Sequence, residues 1–323
     1  MTKKRHHYVP KTYLEGFTDD QGFLWVGRKD DPSKPLRLKP ENTGFEKYYY
    51  SQTLDNGVRD DRMEDFFGKI ESQWPALRLK LVQSEKIIPT DGGLIWQILG
   101  SQRVRVPAAR DMMEGVLAHQ VMVGLRQLDE VGELPPYPDG FPDIVDHVRI
   151  AIDPQKSIEG MGQMLRAFQW LIGRVGFEVI HNETESHFLT SDNPVSIFDS
   201  SVPDKLMRPY VIAPECQAIE LLYPVDCRTL IRGRSGLAQR HSERGPKHVR
   251  LRDENQVRRI NRITARFAYE LIIANGPQHS GLLRAFADTS PVLENSVGWT
   301  GGIQSAPLIM AFGKRPKKQK WTD

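Results

Sequence analysis

The stretch Phe177-Glu178-Val179-Ile180-His181-Asn182-Glu183-Thr184-Glu185-Ser186-His187-Phe188-Leu189-Thr190-Ser191-Asp192-Asn193-Pro194-Val195 decides the fold class. Residues 177–180 and 188–190 are short apolar runs of strand-favouring composition, and only a polar loop separates them. No helix intervenes, so these strands come as a run and not as βαβ units. Further candidate strands lie at 210–212, 218–222 and 229–232, and earlier ones at 22–27, 36–38 and 47–50. Between the two groups the period becomes helical. Met63, Phe66, Phe67, Ile70, Trp74, Leu77 and Leu81 share one face at about 100° per residue, with Pro75 set to kink or interrupt the helix. Three more helices are expected near 93–104, 110–129 and 157–172, and a long one over 253–274. The expected architecture is α+β: a helical middle segment packed on a mixed or mostly antiparallel sheet built from N- and C-terminal strands.

With 323 residues the chain can bury a substantial core. Hydrophobic residues at 39% and charged residues at 26% describe an ordinary soluble protein. No apolar run approaches the roughly 20 residues of a membrane span, and Lys3-Lys4-Arg5 is followed by no apolar leader. A cytoplasmic protein without a membrane partner is therefore expected. Cys216 and Cys227 are the only cysteines, which gives neither a disulfide framework nor a zinc spacing and reads as two reduced thiols. The net charge of +3 is uneven. Residues 313–323, Gly313-Lys314-Arg315-Pro316-Lys317-Lys318-Gln319-Lys320 and onward, form a basic flexible tail that is either solvated or in contact with nucleic acid. Residues 1–312 read as a single domain, with the Pro- and Gly-rich 134–140 as its point of subdivision.

A second segment carries chemistry. Arg5-His6-His7-Tyr8-Val9-Pro10-Lys11-Thr12-Tyr13-Leu14-Glu15-Gly16-Phe17 places two imidazoles at a chain end, followed at once by an apolar and aromatic run. Chain ends usually fray, so this composition predicts a segment docked into the body of the protein. Adjacent residues of an extended segment point to opposite sides, so one of His6 and His7 enters a given cavity. His6-His7-Tyr8-Val9-Pro10 with Tyr13-Leu14 and Phe17, together with Thr190-Ser191-Asp192-Asn193-Pro194, resembles the bacterial family known as domain of unknown function 4238. Looser matches are Lys69-Ile70-Glu71, Gln102-Arg103, Tyr223-Pro224-Val225-Asp226 and Asn261. The family usually shows Pro-Leu-Ser-Pro where this chain has Tyr223-Pro224-Val225-Asp226, so a role tied to that serine does not carry over. The resemblance brings no settled activity.

His6 and His7 read as metal ligands, as a general base beside an anion-binding group, or as structural hydrogen-bonding partners. Pro194 forces Asn193 out of the helical region. The Thr190–Asn193 segment is then either a self-bonded turn or a rigid mount on which Asp192 ligates a metal or orients a histidine while Thr190 or Ser191 holds an anionic oxygen. Glu71 sits at the margin of its helix's apolar stripe, where a carboxylate is half-buried or simply paired. Gln102 falls on an apolar face, where an unsatisfied amide costs about 1 to 3 kcal/mol. Arg103 beside it can grip a carboxylate or phosphate in a bidentate way. Gln102, Arg103 and Asn261 have a structural reading too, as members of a buried network. His181 and His187 bracket Glu183 and Glu185 in a loop that reads as a solvated hairpin tip more readily than as a metal site.

No Gly-x-Ser-x-Gly elbow, Walker loop, His-Glu-x-x-His or Gly-x-Gly-x-x-Gly is present. Two readings remain. One is a hydrolase of phosphodiester bonds, nuclease-like, with His6, His7, Asp192, Glu71 and Arg103 as catalytic groups. Gln102, Thr190, Ser191, Asn193 and Asn261 would bind substrate, and His7 and Asp192 would be the ligands of any divalent metal cofactor. The other is a non-catalytic nucleic-acid-binding or regulatory module whose motif residues form a structural polar network.

Overall fold

The computed structural model describes residues 4–54, 56–141, 144–295, 298–300, 303–305 and 308–316. The chain opens with β1 (Arg5–His7) and a one-turn helix, α1 (Lys11–Leu14). Strands β2 (Leu24–Arg28), β3 (Asp31–Leu38) and β4 (Phe45–Lys47) follow, then a small hairpin of β5 (Gln52–Thr53) and β6 (Arg59–Asp60). The helical middle comprises α2 (Arg62–Glu71), α3 (Trp74–Val82), α4 (Pro89–Val104), α5 (Pro107–Glu130), α6 (Ile144–His147) and α7 (Pro154–Gln169). The second half alternates differently. It runs β7 (Gly176–Asn182), β8 (Thr190–Ser191), β9 (Ser196–Asp199), β10 (Ile219–Pro224), β11 (Thr229–Arg234), α8 (Ala238–Arg244), β12 (Lys247–Leu251), α9 (Glu254–Phe267), β13 (Leu271–Ala274), α10 (Ser280–Ala285), β14 (Ser290–Asn295), β15 (Gly298–Thr300), β16 (Ile303–Ser305) and β17 (Leu308–Gly313).

These elements form an α+β fold. One sheet has the order β12-β7-β11-β10-β9 and the other β3-β2-β13-β8. All pairings are antiparallel except β12 with β7. The second sheet joins both ends of the chain, because β13 pairs with β2 on one side and β8 on the other. Its β8 is the Thr190-Ser191 of the central motif. The main core gathers Val9, Tyr13, Leu14 and Phe17 from the N-terminal segment, Phe67, Trp74, Leu77 and Leu99 from the helices, and Val179, Leu221 and Ile231 from the larger sheet. The N-terminal segment is thus core and not a frayed end. Gly16 makes this possible: a Cβ there would meet the Asp226 Cβ at 2.9 Å, while its carbonyl accepts the Cys227 N–H. Gly44, at φ +67°, turns its carbonyl to accept both the Tyr8 and the Val9 N–H.

Several element boundaries differ from the sequence expectation, each for a local reason. Pro75 divides the first helix into α2 and α3, where it occupies the start of α3 and needs no N–H partner. The long helix expected over 253–274 stops at Phe267. Residue 268 turns extended, and β13 begins four residues after the helix. Tyr210 sits at φ 61° in a turn and not in a strand, and the neighbouring strand is β9, straight after Pro194. Of the expected strand over 47–50 only Lys47 belongs to β4, and Tyr48 adopts φ 56°. Gly313, placed in the tail by composition, closes β17, and residues 317–323 lie outside the described residues. Among the described residues no helix is long and apolar enough to cross a membrane.

Candidate active site

Strand β1 separates the two histidines by simple alternation. His6 faces inward with no exposure: its ring stacks on Tyr50 at 5.8 Å, and its Nδ1 accepts the Tyr50 N–H at 3.1 Å. His7 lies on the other face with Arg5. The His7 ring is 5.6 Å from Phe45, and the Arg5 guanidinium carbon is 4.7 Å from the same ring. The His7 imidazole donates to the Glu41 carbonyl, and its Nε2 is enclosed without a partner among the described residues, so the bond belongs to Nδ1. This leaves the Nε2 lone pair available. Burial holds the His7 pKa below its ordinary value; Glu71 and the Glu41 carbonyl oppose that, while Arg105 and Arg5 add to it. The neutral ring is therefore favoured at neutral pH.

Behind His7 stands Arg105, 1% exposed, with each of its guanidinium nitrogens bonded. It pairs with Glu71, donates to the His7 carbonyl, and shares a hydrogen bond with the Tyr50 hydroxyl, which in turn donates to the Arg105 carbonyl at 3.0 Å. Glu71 keeps 28% of its side chain exposed, so its carboxylate reaches solvent on the side away from Arg105. Arg105 was not among the sequence candidates. The signal for it was weak: an arginine two residues after Gln102-Arg103 at a helix end, with no periodicity to mark it as buried.

The central motif is a mount for backbone. Both Asp192 oxygens accept amides of the chain leaving α9, from Tyr269 at 2.8 Å and Glu270 at 2.6 Å, and Asp192 has no exposure. Burial and the Glu270 charge push the Asp192 carboxyl up, and Lys29, itself pulled down by burial, opposes this. Lys29 donates to the Ala268 and Thr289 carbonyls. Asn193 donates to the Phe267 carbonyl at 2.7 Å and the Tyr210 hydroxyl at 2.5 Å. Ser191 Oγ accepts the Asn193 N–H, and Asn261 ties the Leu189 N–H to the His187 carbonyl. The two motifs meet through tyrosines. Thr190 Oγ1 and the Tyr13 hydroxyl are 2.6 Å apart, and buried Tyr8 lies within the fields of Asp192, Glu270 and Tyr50. No hydrogen bond joins His7 to Asp192 among the described residues.

Gln102 and Arg103 sit elsewhere, in the last turn of α4. Arg103 is 7% exposed, with its guanidinium carbon 3.5 Å over the Tyr210 ring. Gln102 Oε1 has no protein partner among the described residues. The metal reading can be tested on the donors. Both Asp192 oxygens are taken by backbone, His7 and Asp192 are served by different neighbours, and no group of three or more His, Cys, Asp or Glu among the described residues is arranged to hold an ion. The residues present do not fit a His7–Asp192 metal site. The loop histidines are also spoken for: His181 Nε2 and His248 Nδ1 are 2.8 Å apart, and His187 Nδ1 lies 2.6 Å from the Asn275 amide.

With both motifs placed, the comparison with known families has a structural meaning. The family model described as protein of unknown function (DUF4238) matches residues 5–277. The chain belongs to this family. The match begins at β1 and ends just after β13, so it takes in the His-His strand, the α4 pair, the Thr-Ser-Asp-Asn-Pro mount and α9. No curated protein and no solved structure matches the chain.

Proposed function

We propose that the protein is a hydrolase of phosphodiester bonds in which His7 is the general base. The observation that carries this reading is the state of one ring. His7 Nδ1–H is fixed by a carbonyl, the neutral ring is favoured, and the enclosed Nε2 lone pair has no partner among the described residues. In the proposed step Nε2 takes a proton from water, the water oxygen bonds to phosphorus, and the bond from phosphorus to the leaving oxygen breaks. The imidazolium then returns its proton to that oxygen. Glu71, nearby and half-open, steadies the imidazolium, and Arg105 fixes Glu71 and the strand carbonyl of His7 in place.

A polyanionic substrate, nucleic acid in particular, is supported by basic residues beside this ring and elsewhere on the surface. Arg5 and Lys47 are directly opposite one another in the β1–β4 pair, an arrangement of like charges that is unfavourable without an anion to share. The exposed face of α9 adds Arg258, Arg259 and Arg262 at helical spacing. The buried state of the thiol at Cys216, and its free form, agree with a reducing, cytoplasmic setting.

A second reading rests on the mount. Asp192, Asn193, Asn261 and Thr190 bond backbone or a buried hydroxyl, which favours a structural network in that half of the site and a binding module overall. The two are separated by incubating the purified chain with single-stranded and duplex DNA and RNA, with Mg²⁺, Mn²⁺ or chelator, beside His7→Ala and Asp192→Ala. The hydrolase reading expects cleavage that His7→Ala abolishes while the variant stays folded. Intact substrates in every arm, with tight binding retained, would assign the protein to the binding module.

A further inference from the structure

We propose that Arg103 forms the floor of an internal phosphate site, separate from the His7 centre. The chain contains three buried arginines on or beside α4 and α5, and two of them show how this protein compensates a buried guanidinium. Arg105 has Glu71, Tyr50 and a carbonyl. Arg110 donates to Ser157 Oγ and to the carbonyls of Tyr49 and Pro154. Among the described residues Arg103 has neither an acid nor a carbonyl as a partner. Its charge lies on the Tyr210 ring, its Nη2 meets only the Met112 sulfur at 3.9 Å, and its Nη1 has no partner among the described residues. A buried charge left in this state is costly, and a counter-ion removes the cost.

Two orphaned acceptors specify the ion, one on Asn193, which bonds the Tyr210 beneath Arg103, and one on Gln102, which precedes Arg103 in α4. Asn193 is locked by its two donor bonds, to Tyr210 and the Phe267 carbonyl, so its buried Oδ1 is an acceptor awaiting a donor, as is Gln102 Oε1. A carboxylate offers no hydrogen to them. A phosphate monoanion offers both halves: anionic oxygens for the guanidinium fork and a P–OH for an amide oxygen. Met112, whose sulfur touches the Arg103 guanidinium, also lines a cavity of about 390 Å³ together with Ala108, Tyr269 and Val292, so it is all that the structure shows between that cavity and Arg103. A thioether with free torsions can swing aside from Arg103. This site stands whether or not His7 catalyses hydrolysis, and binding can be read without turnover.

The test is thermal unfolding of the full chain in phosphate-free buffer at mildly acidic pH, titrated with inorganic phosphate or with adenosine monophosphate against chloride at matched ionic strength. Wild type should gain melting temperature saturably with one or both, and the comparison tells whether the phosphate is free or esterified. Arg103→Met should lose that response while melting higher than wild type without phosphate, because the uncompensated charge is gone. Should Arg103→Met fail to fold, the ³¹P line of inorganic phosphate or of adenosine monophosphate in the presence of wild type decides: saturable broadening of either at one site per chain supports the proposal. A melting temperature indifferent to both phosphates, an equal response in Arg103→Met, or the absence of saturable broadening overturns it.

Discussion

At the scale of the residue, His7 is set apart by what does not bond to it. An imidazole with Nδ1–H on a carbonyl and Nε2 enclosed beside a carboxylate is prepared to accept a proton, and its lowered pKa keeps it ready below neutrality. A base must be unprotonated to act, so the rate should rise with pH along a limb whose midpoint lies below the ordinary histidine value of 6.5. Glu71→Gln removes the charge that raises this pKa, and the limb should move to still lower pH while the maximal rate falls. A pH–rate profile unchanged by Glu71→Gln would disconnect the two groups. Arg105 is the residue on which this geometry depends. Arg105→Met leaves the Glu71 carboxylate, the His7 carbonyl and the Tyr50 hydroxyl short of a donor, and a loss of about 3 to 5 kcal/mol in urea unfolding is expected. The sequence pointed to His7 and Glu71 through their types and positions. Arg105 was invisible in it, because nothing in a local window tells a buried guanidinium from a solvated one.

At the scale of the element, the junction between α9 and β13 shows what the central motif does. The apolar stripe Val257, Ile260, Phe267, Leu271 continues the helical period without a break, which is why the sequence predicts one helix to 274. The structure ends it at Phe267 because Asp192 and Asn193, far away in sequence, capture the amides of Tyr269 and Glu270 and the carbonyl of Phe267. Long-range capture of this kind overrides local periodicity and cannot be read from it. Asp192→Ala should therefore cost about 2 to 4 kcal/mol of stability, the loss of two bonds to a charged acceptor, with cleavage falling only as far as folding does. Full stability with abolished cleavage would instead give Asp192 a chemical role. The His-His strand was more legible. A period of two predicts that the imidazoles point to opposite sides, so that one enters a given cavity, and β1 places His6 on the fully buried face and His7 on the other.

At the scale of the whole molecule, acid should unfold this protein early. His279 is held down to about 4 by burial and by the neighbouring His187, and His181 is lowered by burial and by its partner His248. The unfolded chain binds these protons from about pH 6.5 downward and the folded chain does not. Stability is accordingly complete above that value and declines as pH falls, until His279 protonates in the fold near pH 4. For His279 alone the shift from 6.5 to about 4 corresponds to about 3 kcal/mol. His279→Leu should flatten the decline in urea melts taken between pH 7 and pH 4.5, and a slope equal to wild type would place its cause elsewhere. The α+β class followed from strands grouped in runs, whereas the sheet linking β2, β13 and β8 pairs Leu271 with Arg28 and Ile272 with Ser191, separations beyond any local sequence pattern.

The account depends on His7 acting as a base and not as a prop, and chemical rescue tests that most directly. Hydrolysis of a phosphodiester by His7→Ala should fall by about 10² to 10⁴ and be restored in part by free imidazole, in proportion to the neutral form. A folded His7→Ala variant that cleaves as well as wild type, or that imidazole leaves inert, would contradict it.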